Sequence, residues 1–269
     1  MIRITKKRGF IILFFIFLSY FISVFATAGT FYGDLRTGLI ELENYKYPVF
    51  LYVPDAVKAG SKYPLVISIP DEGETAEENI KKWQSMTQVR TVIILVPTYL
   101  RPEDVPNSYD RWLFQIKNLV SFEFPVNRKA IYLVGEKGSA SYVAYLGVNF
   151  PEEFSAVALL EGSPVGAFEK LMDLKTRPSR QVPFYIALKE SQQNLFESTK
   201  TKVYEFEKYG YDMEVETLPD TEDLHRREFT KKLLERLSQK AEDWYALAQQ
   251  DRKALKEKMR SSVKNFFTI

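Results

Sequence analysis

The sequence predicts an α/β protein, with a mostly parallel sheet, helices on both faces and a helical tail at the C-terminus. Three observations carry the prediction. Short β-rich runs alternate with stretches of helical periodicity along most of the chain, the pattern of strand–helix–strand units. Thr91–Val96, TVIILV, is a continuous apolar run, as expected of a strand buried on both faces. The 269 residues are 45% apolar and 27% charged, which suits one globular domain with a substantial core.

Taken in order, Val49–Val53 and Leu65–Ile69 read as strands bounded by prolines. Glu74–Thr87 reads as a helix, and Thr75 and Glu78 have the spacing of a capping box at its start. After the Thr91–Val96 strand, Tyr109–Phe122 places Trp112, Leu113, Ile116 and Leu119 on one helical face. Ala130–Val134 is a strand, Ser139–Asn149 a helix stopped by Pro151, and Ser155–Leu160 a strand. Phe184–Leu188 is followed by a helix over about Leu195–Tyr209, which Gly210 ends as a C-cap glycine. Met213–Leu218 is the last strand and Arg226–Gln239 the helix after it.

The two ends of the chain differ in kind from this core. A basic stretch ending at Arg8, the apolar run Phe10–Phe25 and the small residues Ala26-Thr27-Ala28 form a secretory signal over 1–28, with cleavage expected before Gly29. The other reading of the same run is an uncleaved N-terminal anchor. Both put the remainder outside the cytoplasm, in the periplasm or secreted. Residues 241–269 form a helical extension with Trp244, Leu247, Leu255, Met259 and Val263 roughly on one face, and six basic residues against one acidic between Arg252 and Lys264. An amphipathic element of this kind suits an anionic membrane surface or a protein partner. A terminal helix packed on the domain is the alternative.

Composition excludes several chemistries. With no cysteine and one histidine, there is no disulfide, no thiol nucleophile and no Cys- or His-rich metal site. No cofactor motif is present: a Walker loop and Gly-x-Gly-x-x-Gly are both missing. Without Arg3, Lys6, Lys7 and Arg8 the chain carries 33 basic and 35 acidic residues, so no basic field suggests nucleic acid as a partner. A Ser-His-acid mechanism survives only with His225 as its base.

The most informative stretch is Ile131–Gly162. It reads strand, tight small-residue turn, helix, strand, the setting of a Gly-x-Ser-x-Gly nucleophile elbow. Together with Tyr63–Ile67 ahead of a turn and Asn149-Phe150-Pro151-Glu152-Glu153-Phe154 after the helix, this segment resembles exported α/β-hydrolases of the esterase type. That group includes polyhydroxybutyrate depolymerases and feruloyl esterases. The resemblance covers most of 45–238 and implies an α/β-hydrolase-like domain over 29–240.

Its catalytic positions depart from the family's. Gly135-Glu136-Lys137-Gly138-Ser139 stands at the elbow, so Lys137 takes the nucleophile's place between Gly135 and Ser139. The lysine reads as a cation or filler in a vestigial pocket, or as an amine for imine chemistry. Pro70-Asp71-Glu72-Gly73 replaces the family's His-Gly oxyanion motif; Gly73 keeps the turn, and Asp71 or Glu72 is a candidate partner for Lys137. Glu190 is the closest carboxylate to the family's acid position, with Glu161 a weaker candidate. His225 lies where the family keeps its base, beside Asp223 as a candidate N-cap. The resemblance therefore implies a degenerate pseudo-esterase that binds a small acyl- or ester-like ligand or acts as a scaffold. The alternative is an active serine carboxylesterase with Ser139 as nucleophile, His225 as base and Glu190 as acid.

Overall fold

The computed structural model describes residues 35–43, 45, 47–98, 109–174 and 181–266. The signal segment 1–28 lies outside them. Eight strands form one sheet: β1 (Gly38–Glu41), β2 (Val49–Val53), β3 (Tyr63–Ile69), β4 (Ile93–Pro97), β5 (Val126–Glu136), β6 (Ala156–Leu160), β7 (Phe184–Lys189) and β8 (Met213–Leu218). The spatial order is β1-β2-β4-β3-β5-β6-β7-β8. β1 and β2 are antiparallel to their neighbours, and every pairing from β4 onward is parallel.

Burial follows from this placement. β4 and β6 are buried at all five positions, as strands covered on both faces must be. β2, nearer the edge, alternates buried and half-buried residues. Among the described residues five helices cover the sheet: α1 (Ala76–Val89), α2 (Tyr109–Glu123), α3 (Ser139–Asn149), α4 (Gln193–Lys208) and α5 (Arg227–Phe266). On one face Ile80, Trp83 and Met86 of α1 and Phe229, Leu233 and Leu237 of α5 pack on Val66, Ile94 and Tyr132. α2 and α3 pack on β5, and α4 on β7 and β8.

The predicted elements are all present, with shifted ends. α1 begins at Ala76, with Thr75 and Glu78 forming the reciprocal capping box. β5 is longer than Ala130–Val134, reaching back to Val126 and on to Glu136. The sequence reading missed β1, which is four residues long and buries only one of them. Asp223 is not the cap of the last helix, because α5 starts at Arg227. Its carboxylate instead accepts the His225 backbone N–H at 3.0 Å. α5 then runs unbroken through Gln239 to Phe266, so no break in the helix separates residues 241–266 from the helix before them. Trp244 ties that helix to the domain, donating from its indole to the Gln181 carbonyl at 2.6 Å. No helix among the described residues is long and apolar enough to cross a membrane.

Candidate active site

Parallel strands end together, so the loops after β3, β5, β6, β7 and β8 meet at one edge of the sheet. The tightest of them joins β5 to α3 through Lys137 and Gly138 alone. Lys137 has φ +52°, a left-handed conformation that costs a long side chain about 1–2 kcal/mol. The surroundings enforce it. A Cβ on Gly135 would meet Val143 Cγ2 at 2.6 Å and Ala140 Cα at 3.1 Å, and one on Gly162 would meet the Lys137 carbonyl oxygen at 2.4 Å. Strand and helix backbones nearly touch here, as a nucleophile elbow requires. The elbow's backbone geometry is therefore complete, with a lysine at its apex.

Ser139 is not available as the nucleophile. It is fully buried, and its Oγ lies 3.0 Å from the Ile69 carbonyl and 2.9 Å from the Glu136 carbonyl while accepting the Glu136 N–H at 3.0 Å. The hydroxyl stitches β3, β5 and α3 together beneath the elbow and does not line the cleft.

Lys137 does not pair with Asp71 or Glu72. Its Nζ lies 3.8 Å from Glu136 and 3.9 Å from Glu161, and the side chain is 55% exposed. Glu161 is the other non-glycine residue with positive φ among the described residues, at +49°. Both residues sit at the ends of neighbouring strands, and their charges face each other across the cleft floor. Backbone strain of this kind gathers at functional sites.

The remaining charges extend this pair into a ring. Glu161 lies 3.6 Å from the Nζ of Lys189. Lys189, at the end of β7, donates to the carbonyls of Pro219 and Glu222, so it clamps the loop that carries His225. His225 Nε2 then faces Glu136 Oε2 at 3.3 Å, closing the circuit at the residue before Lys137. The contact is ionic in distance, but neither atom has an aligned hydrogen-bond partner among the described residues. Burial raises the Glu136 pKa, but His225, Lys82 and Lys137 outweigh it and hold the carboxyl below the ordinary range. The fully buried Trp83 packs under the imidazole, ring centroids 4.7 Å apart.

The turn after β3, where the resemblance expects an oxyanion site, is occupied from within. Asp71–Glu74 forms a turn with Glu74 N–H donating to the Asp71 carbonyl at 3.1 Å. Gly73 takes φ +82° at its third position, where glycine is favoured. The turn lays the Asp71 carboxylate over Gly138, where an added Cβ would stand 2.7 Å from Oδ1. A fixed anion at the start of α3 opposes the negative charge that an acyl-transfer transition state develops there. Glu72 is exposed on the rim.

Glu190 does not reach the cleft. Its backbone N–H pairs with the Leu218 carbonyl and its side chain is exposed. The cleft has two lobes, of about 360 and 550 Å³, which share Lys82, Glu136 and Lys137. The sequence reading brought Asp71, Glu72, Gly73, Lys137, Glu161 and His225 to this edge. It missed Glu136, Lys189, Lys82 and Trp83 as parts of the site. The available signal was positional: Glu136 and Lys189 are the last residues of parallel strands, where side chains meet the crevice. Among the described residues no group of acidic or histidine side chains is placed to hold a metal ion.

No protein-family model matches the chain, and no curated protein matches it in sequence. Solved structures do match in three dimensions. A thermostable esterase superposes with a TM-score of 0.53 at 17% identity, over 77% of this chain and 61% of that one, so the chain spans under two-thirds of its length. A hyperthermophilic esterase from Pyrobaculum calidifontis gives 0.57 at 11% identity, over 77% and 86%. FphF, a fluorophosphonate-binding serine hydrolase of Staphylococcus aureus, gives 0.55 at 8% identity, over 76% and 97%. The sheet order, the strand–turn–helix elbow and these likenesses together establish that the chain has the α/β-hydrolase fold.

Proposed function

We propose that this protein is a non-catalytic member of the hydrolase-fold group that binds a ligand in the cleft above the elbow, and that it works outside the cytoplasm after export by residues 1–28. The observation that carries the reading is Lys137 at φ +52° on an intact elbow. The geometry that presents a nucleophile is retained, and the side chain presented is an ammonium flanked by two carboxylates. Two further features support the same reading. Asp71 holds negative charge where an oxyanion would form, and His225 faces Glu136 in place of a hydroxyl.

The alternative, an active serine esterase using Ser139, draws on the preserved elbow backbone and on His225 in the cleft. A fluorophosphonate probe separates the two. The proposal predicts no adduct on the native protein under conditions that label a control esterase. An adduct lost both in a folded Ser139→Ala protein and in a folded His225→Asn protein would overturn it.

A further inference from the structure

Charge is divided unevenly between the end of α5 and the rest of the chain. From Arg252 to Lys264 the helix carries six basic residues and one acidic, Glu257. Outside that stretch and residues 1–28 the chain carries 27 basic and 34 acidic residues. A cationic segment thus continues from a net acidic domain, an asymmetry that marks an interaction element.

Helical spacing sorts the same stretch by chemistry. With 3.6 residues per turn, Leu255, Met259, Val263 and Phe266 fall within an arc of about 80°. Lys253, Lys256, Arg260 and Lys264 fall in the arc beside it, and Arg252 alone intrudes on the apolar one. The acidic Glu257 lies on the far side. Apolar steps of four, four and three differ from the alternating three and four of a coiled-coil seam, which argues against a second helix as the partner. A narrow apolar arc flanked by lysine and arginine suits a helix lying in a bilayer surface, with its cations at anionic headgroups. α5 does not have the apolarity of a membrane-crossing helix.

The helix is also built into the domain. Phe229, Leu233 and Leu237 in its first half are core residues, and it continues without a break to Phe266. Residues 250–266 add about 25 Å to its length.

We infer that residues 252–266 of α5 dock on an anionic phospholipid surface, through the cationic arc and the apolar arc beside it. The continuous helix then holds the domain at that surface. The inference is independent of what the cleft binds.

The test is co-sedimentation with lipid vesicles, using the protein from Gly29 onward, the product expected of signal cleavage. Residues 36–269 form one compact unit, so this form keeps the whole domain. One vesicle is phosphatidylcholine alone, and the other is phosphatidylcholine with an equal part of phosphatidylglycerol. The expected result is binding to the anionic vesicle, weakened by high salt, and none to the neutral one. Lys256→Gln and Arg260→Gln should each weaken it roughly fivefold, and together about 25-fold. Met259→Ser should weaken it a few-fold through lost apolar contact. Lys200→Gln with Lys231→Gln, both exposed on the domain, should leave it unchanged. Equal binding to both vesicles, or anionic binding that survives the Lys256 and Arg260 pair of substitutions, overturns the inference. Binding to neither vesicle also overturns it, and would leave an acidic protein surface as the partner.

Discussion

Two buried carboxylates separate what holds this fold together from what its cleft offers. Asp110, on α2, is 3% exposed and accepts the hydroxyls of Tyr142 and Tyr145 at 3.1 and 2.7 Å. Both partners are neutral and lie on α3, so the group sews two helices together. Burial pushes its pKa up, and the two hydroxyl bonds do not offset that. Glu136 is nearly as buried, at 6%, but its neighbours are an imidazole and two ammonium groups, and its pKa is lowered. It borders both lobes of the cleft. Equal burial thus has opposite electrostatic outcomes: neutral hydroxyls make a packing device, and neighbouring cations hold a carboxylate charged beside a cleft.

The comparison is broken most severely from the structural side. Asp110→Ala leaves two buried tyrosine hydroxyls without their acceptor and should cost about 3 kcal/mol, read as a loss in chemical-denaturation stability. Ser139→Ala should cost about 1–2 kcal/mol by leaving the Glu136 N–H unpaired, with no change in any esterase signal. A catalytic role for Ser139 would show the reverse pattern.

Acid titration sharpens the contrast through its sign. The folded pKa of Asp110 lies above its unfolded value, so the folded state keeps that proton to higher pH and stability falls as pH rises through the folded value. The folded pKa of Glu136 lies below its unfolded value, so its contribution is full above the ordinary carboxylate range and is lost as pH falls through the folded value. Tm measured from pH 7 downward for the native protein, Asp110→Asn and Glu136→Gln should therefore diverge. On acidification, the native advantage over Asp110→Asn should grow and that over Glu136→Gln should shrink. Parallel curves would mean the two carboxylates are electrostatically alike.

The smallest effect is at the elbow apex. Lys137→Gly removes left-handed strain worth about 1–2 kcal/mol and loses a half-exposed charge contact worth under about 1 kcal/mol. Offset further by glycine's greater unfolded freedom, the net change should be a stabilisation of up to about 1 kcal/mol by denaturation. A clear loss of stability would show that the Lys137 ion pairs matter more than their 3.8 and 3.9 Å separations suggest.

Most of the fold was legible because parallel strands leave a strong apolar signal. β4 and β6, buried throughout, stand out as runs in the sequence. β1 did not, since four residues with one buried position carry no pattern. Within the site, the tight turn between β5 and α3 was legible from the small flanks Gly135 and Ser139, whose reason is steric and local. Pairings were not. Lys137 was expected to meet Asp71 or Glu72 and meets Glu136 and Glu161, because the turn sends Asp71 over Gly138. Ser139 could be placed on the helix, but its burial depends on Ile69 of a strand seventy positions away. Glu136 was passed over because nothing local marks a strand-end carboxylate as facing a histidine eighty-nine residues later.

The central claim is that an elbow with a lysine at its apex, an anion over its helix and its histidine turned to a glutamate does not turn over esters. The direct measurement is the hydrolysis rate of short p-nitrophenyl esters by the purified protein lacking residues 1–28, beside His225→Ala. The account predicts equal rates for the two, both at the level of buffer with an inert protein. Turnover well above the His225→Ala rate would contradict it.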